Sequence, residues 1–218
     1  MSFLRLPVLL ALILFSGPVL AAEIGESIPE SNRLDFTITR NGDVIGSHQV
    51  RFSRSGDQLT VQTEIAIKVT FAFITFYDYQ HSATEVWRDG MLQSISARTN
   101  NDGAPEFVSI RREGDRLAGT STRGDLDLPG DIGATSYWIP GYLDAGTWLD
   151  TQDGEILEMT HNRKGEEPVI VQGKSIPAMR SHSVANNGSE VDLWYAGRKL
   201  MKMQFKAFDD SILTYNRL

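Results

Sequence analysis

From Arg33 onward, apolar and polar residues alternate almost one by one, and this period of two constrains the fold more than any other feature. Leu34, Phe36 and Ile38 are interleaved with Asp35, Thr37 and Thr39, the pattern of a strand that buries one face. Asn41-Gly42 follows, a strong hairpin signal because both central positions of a type I′ turn need positive φ. Val44 to Arg54 then carries Val50 and Phe52 on one face, and Ser55-Gly56-Asp57 turns the chain again. Leu59, Val61, Thr63, Ile65, Ile67 and Val69 continue the alternation. The opening is a three-stranded meander.

The same grammar runs on. Tyr79 to Trp87 and Met91 to Thr99 are joined through Asp89-Gly90, and Phe107 to Arg112 and Leu117 to Arg123 through Glu113-Gly114-Asp115. Later strands are expected at Ile156 to Asn162, Val169 to Gln172, Ile176 to Ala185, Val191 to Tyr195, Leu200 to Phe208 and Ile212 to Asn216. Their separators are Gly165, Gly173-Lys174, Asn186-Asn187-Gly188, Gly197 and Asp209-Asp210. Roughly a dozen strands with hairpin-length links mean an antiparallel sheet. Gly124 to Asp153 departs from the pattern: rich in glycine and containing Pro129 and Pro140, it is expected to be one long irregular crossover. No amphipathic helix is long enough to cover such a sheet, so the sheet must curl on itself. The expected class is all-β, a single curled antiparallel sheet forming a closed or half-open barrel. A two-sheet sandwich is the alternative.

Residues 1–22 read as a secretory signal peptide. Arg5 is the only charge before Glu23, the run from Leu6 to Phe15 is apolar, and Ala21-Ala22 follows Gly17-Pro18, which gives the three parts of such a leader. Residues 23–32 form a short lead, and 33–218 a single antiparallel β domain. The expected location is the periplasm, reached through the inner membrane. The cleaved product is expected to be soluble and to span no membrane.

The whole chain carries a net charge of −7. Loss of Arg5 with the leader makes the mature product one unit more negative. That balance argues against nucleic acid, whose phosphates call for a basic surface. The absence of cysteine excludes thiol catalysis, thiolate metal sites and disulfide staples. No nucleophile elbow, phosphate loop or dinucleotide fingerprint occurs. His48, His81, His161 and His182 fall in separate expected strands, a spacing that calls for no metal, and no cofactor or catalytic residue is assigned.

One aromatic run stands out: Phe71-Ala72-Phe73-Ile74-Thr75-Phe76-Tyr77-Asp78-Tyr79. It reads either as a bulged strand filling the barrel or as a flap at the mouth of an apolar cavity. Phe71, Phe73, Phe76, Tyr77 and Tyr79, with Trp87, Trp138 and Trp194, are the candidate ligand-binding residues. Glu85 joins them because it shares an apolar face with Trp87 and needs a partner if buried, with Arg111, Arg180 and His81 as candidates. His81 and Glu85, four strand residues apart, stand about 13 Å from each other and cannot share one proton or metal.

Thr84-Glu85-Val86-Trp87-Arg88-Asp89-Gly90, Ser136-Tyr137-Trp138, Asp192-Leu193-Trp194-Tyr195 and the opening Asn41-Gly42-x-x-Ile45-Gly46 resemble an uncharacterised bacterial envelope family, domain of unknown function 6134, with a related group numbered 3108. The resemblance implies an exported protein with a curled sheet similar to that of periplasmic lipoprotein carriers, which hold acyl chains in an unclosed barrel. It carries over no catalytic residues. Three functions remain open. The first is an exported protein that binds or carries an acyl chain or similar apolar ligand in its barrel. The second is a non-enzymatic envelope structural or assembly factor with a filled core and an envelope protein partner. The third is an enzyme acting on such a ligand.

Overall fold

The computed structural model describes residues 24–207 and 209–218, without the side chains of residues 71 and 74. The expected signal peptide lies outside the described residues. Eight strands follow one another as a meander: β1 (Arg33–Arg40), β2 (Asp43–Ser55), β3 (Gln58–Phe71), β4 (Ile74–Arg88), β5 (Met91–Asn101), β6 (Ala104–Glu113), β7 (Arg116–Ser121) and β8 (Gly124–Pro129). The short β9 (Gly133–Ala134), a 3-10 helix at Pro140–Asp144 and β10 (Thr147–Leu149) lead into the second arm. That arm comprises β11 (Ile156–Val171), β12 (Lys174–Ala185), β13 (Glu190–Ala196), β14 (Lys199–Lys206) and β15 (Ile212–Arg217).

All fifteen strands belong to one sheet, ordered β8-β7-β6-β5-β4-β3-β2-β1-β15-β14-β13-β12-β11-β10-β9. The two arms meet where β1 pairs antiparallel with β15, Phe36 opposite Arg217 and Arg40 opposite Leu213. The two edges, β8 and β9, are consecutive in the chain. The seam is therefore not closed by hydrogen bonds but bridged by residues 130–132, and the architecture is a half-open barrel, as the alternation implied.

Three local expectations change. Gly124 to Asp153 is not irregular throughout, because Leu126 and Leu128 point inward and make β8 a strand; β9 also pairs parallel with β10. Gly165 does not separate two strands: it sits in a bulge within the continuous β11, with the register shifting between Arg163 and Gly165 and φ at +115°. The aromatic run is a hairpin rather than one bulged strand, turning at Ala72 (φ 47°) and Phe73 (φ 68°).

Pairing registers define two ends. The turns at Asn41-Gly42, Ala72-Phe73 and Asp102-Gly103 share the upper end with the start of β15, since Arg40 opposes Leu213 and Tyr79 opposes Asn101. The turns at Asp89-Gly90 and Gly197-Arg198 lie at the lower end, with residues 24–32. The crossover fills the lower half of the barrel. Trp138 meets Phe52 edge-on at 5.2 Å and Trp87 at 5.7 Å, and Tyr142 leans on Trp87 and Trp148. The Trp148 indole donates to the carbonyls of Tyr142 and Ala145, both at 3.0 Å. Trp138 and Trp148 are fully buried, and each indole contributes about 4–6 kcal/mol by area. Gly133 has no side chain because one would meet the Trp148 ring at 2.6 Å. Below, the barrel is solid. Above, it is hollow.

Candidate functional site

The hollow is a cavity of about 720 Å³. Strand pairing explains how its wall is built. Phe36, His48, Ile65, His81 and Thr99 oppose one another in a single row across β1 to β5. Toward the upper end the wall is largely apolar, with Ile67, Val69, Phe76, Tyr77, Phe205 and Leu213. Below the histidine row, Thr63 and Ala83 face each other, and these small side chains leave room at the floor. The crossover closes the remaining side through Thr135, Ser136, Tyr137, Asp150 and Gln152. Tyr137 is held there by its own carbonyl, which accepts the Tyr195 hydroxyl at 2.6 Å.

A cluster of polar groups lies at the inner level. His81 Nδ1 lies 2.9 Å from Thr99 Oγ1, and the Thr99 hydroxyl donates to the Gln152 carbonyl at 3.1 Å. A carbonyl only accepts, so the threonine proton is committed there, and His81 Nδ1–H is the donor to Thr99. The neutral ring therefore keeps Nε2 as an acceptor. His48 is buried between Phe36 and Tyr215, at 5.4 and 5.8 Å between ring centres, and neither of its nitrogens has a hydrogen-bond partner among the described residues. Burial, with a smaller contribution from His81, pushes its pKa down to about 3, and burial pushes His81 down to about 4. Both rings are thus neutral at ordinary pH. Asp150 is pushed up to about 6 by burial, against hydrogen bonds from Gln152 and Thr135. Burial also raises the Tyr79 and Tyr215 hydroxyls.

The candidate residues separate into three places. Phe76, Tyr77 and Tyr79 line the cavity. Glu85, Trp87 and Trp138 gather beneath it in the solid half: Glu85 Oε2 accepts the indole N–H of Trp87 at 2.9 Å and of Trp138 at 3.2 Å. The partners of this buried acid are thus indoles, not Arg111, Arg180 or His81. Its burial raises its pKa, and the donated hydrogen bonds oppose that only in part. Phe73 and Trp194 are not brought to the cavity. Phe73 is wholly exposed at the hairpin tip. Trp194 faces the opposite side of the sheet, between Lys202 Nζ at 4.4 Å and Arg180 Cζ at 5.2 Å, its indole donating to Glu167. The Phe71 side chain lies outside the described residues.

Met203, Phe205, Leu213, Tyr215 and Asp150 also line the cavity and were not among the candidates. The first four alternate inward on β14 and β15, so their strand period held the signal. Asp150 had none, because its place depends on the crossover's path. Among the described residues, no group of three or more acidic or histidine side chains is placed to hold a metal ion, and no helix is long and apolar enough to cross a membrane.

A half-open antiparallel barrel, plugged at one end and hollow at the other, is the class these features define. The chain belongs to the family described as Domain of unknown function (DUF6134), whose model matches residues 36–217. Among solved structures it is similar to a β-barrel-like protein of domain of unknown function DUF1849 from Brucella abortus, at 12% identity over 85% of this chain and 94% of that one, with a TM-score of 0.61. At that identity the likeness establishes the fold alone. No curated protein matches.

Proposed function

We propose that this chain binds an apolar or amphiphilic small molecule, of the acyl-chain class, inside the barrel, and that it does so after export to the periplasm. The carrying observation is the cavity of about 720 Å³, within the range of small-molecule sites, with an apolar upper wall. A filled-core assembly factor has no need of such a space. The leader-like pattern of residues 1–22 supports the export part of the reading.

The test is native mass spectrometry of the protein purified from its source without detergent, followed by solvent extraction. A reproducible adduct of a few hundred daltons, extractable as an aliphatic molecule, is the expected result. A clean unliganded mass, together with no binding of added decyl-chain amphiphiles, would overturn the reading and favour the assembly role.

A further inference from the structure

Between the Arg40–Asp209 pair at the rim and the histidine row lies the apolar wall of Ile67, Val69, Phe205 and Leu213, so an elongated ligand that passes it meets the uncharged hydrogen-bonding groups of the histidine row deep inside. His48 and His81 flank Ile65 in one row, two strands apart and therefore about 10 Å between backbones. Both belong to the cavity wall. His48 brings one donor and one acceptor, and neither is used among the described residues. His81 Nδ1–H is spent on Thr99, leaving Nε2 as an acceptor. A buried imidazole with nothing bonded to it destabilises the fold, because it has lost its water partners and gained none. A binding protein recovers that cost when its ligand supplies the missing partner.

Resting on the reading of the cavity as a binding site, we propose that His48 and His81 form a head-group subsite for a neutral amphiphile bearing a hydroxyl, an undissociated carboxyl or a primary amide, which enters head first and leaves its chain toward the mouth. A hydroxyl matches the inventory once the His48 ring, whose two nitrogens are both covered, turns toward the cavity: it donates to one ring nitrogen and accepts from the His48 N–H. Neither ring carries charge at neutral pH, so a phosphate or sulfate finds no cation to replace its lost hydration. A quaternary ammonium finds no carboxylate in the row, and the Asp150 carboxyl on the crossover side is engaged by the Gln152 N–H and the Thr135 hydroxyl. Arg40 and Asp209, charged residues of the cavity wall, bond each other at the rim, so neither is free to draw an ionic head group inward.

The test compares three ligands of one chain length: 1-decanol, decyl phosphate and decyltrimethylammonium, each titrated below its aggregation concentration. Decanol should bind the wild type at least tenfold more tightly than either ion. His48→Leu should lose that preference while melting no lower than wild type without ligand, because it removes an unsatisfied polar group. His48→Gln, which keeps a donor and an acceptor, should retain it. Should His48→Leu fail to fold, His81→Leu serves in its place, and preserved decanol preference in that variant would overturn the subsite. If all three ligands bind with equal strength, or the ions bind better, the head-group inference fails and the binding reading stands. If none binds, both fail together.

Discussion

Glu85 and His48 are both buried ionisable groups, yet they pull stability in opposite directions with pH. The carboxyl of Glu85 is raised above its usual value of 4.5, so the fold favours its protonated form. Its contribution is fully present below pH 4.5 and is lost as pH rises through the raised pKa. Glu85→Gln keeps an oxygen for the two indole donors and cannot ionise. Urea midpoints should therefore fall with rising pH more steeply in wild type than in the variant, and parallel curves would show that Glu85 does not titrate in this way. His48 works the other way. With a folded pKa of about 3 against 6.5 unfolded, its contribution is present above pH 6.5 and is lost as pH falls through about 3. His48→Leu should lose about 2 kcal/mol less than wild type between pH 7 and pH 5, read from urea unfolding at each pH. The inward direction of His48 was legible in the sequence, since it shares parity with Val50 and Phe52. Its lack of a partner was not, because that depends on what Tyr215 and Phe36, brought in by other strands, place around it.

Among the elements, the long β3–β4 hairpin turns on residues that resist turning. Asn41-Gly42, Asp89-Gly90 and Asp102-Gly103 all carry positive φ at both positions, and such pairs suit type I′ turns. Ala72-Phe73 adopts the same left-handed geometry with side chains that disfavour it by about 1–2 kcal/mol per residue. The double substitution Ala72→Asn, Phe73→Gly should stabilise the protein by about 1–2 kcal/mol in urea unfolding, and a loss of stability would mean that Phe73 packs in a way its exposure does not show. This is also why the hairpin was illegible: without a turn signal, alternation ran straight through an aromatic segment. β8 was hidden for the opposite reason, its two inward leucines lying among glycine, aspartate and Pro129. At the sheet edge, that proline and the outward Asp125 and Asp127 block pairing with another chain. The plug escaped notice because Trp87 and Trp138 read as apolar surface in search of a ligand, when they pack against each other and share Glu85.

For the molecule as a whole, a curled antiparallel sheet followed from the period of two, the hairpin spacing and the want of a covering helix. Where the sheet divides did not. That depends on pairing between the first strand and the last, and neither strand's composition advertises its partner. Two features make the β1–β15 pair indispensable: it sits in the middle of the strand order, and Leu34, Phe36, Ile38 and Tyr215 beside it are buried. A chain stopped after Asp210 should therefore show neither the near-ultraviolet circular dichroism nor the cooperative melting of the full protein. A cooperative transition in that fragment would mean that the meander from β1 to β8 folds by itself.

The placement of that pair also sets a clock. A ribosome releasing roughly 5–20 residues per second needs roughly 10–40 s for a chain of this length, and through nearly all of it β1 has a neighbour on one flank only. The closing contact joins residue 36 to residue 217, so loop-closure entropy is met at its largest before it is rewarded. The nascent chain is thus kept unfinished until its final strand is made, and any factor that recognises extended, unpaired backbone has the whole of synthesis in which to find it.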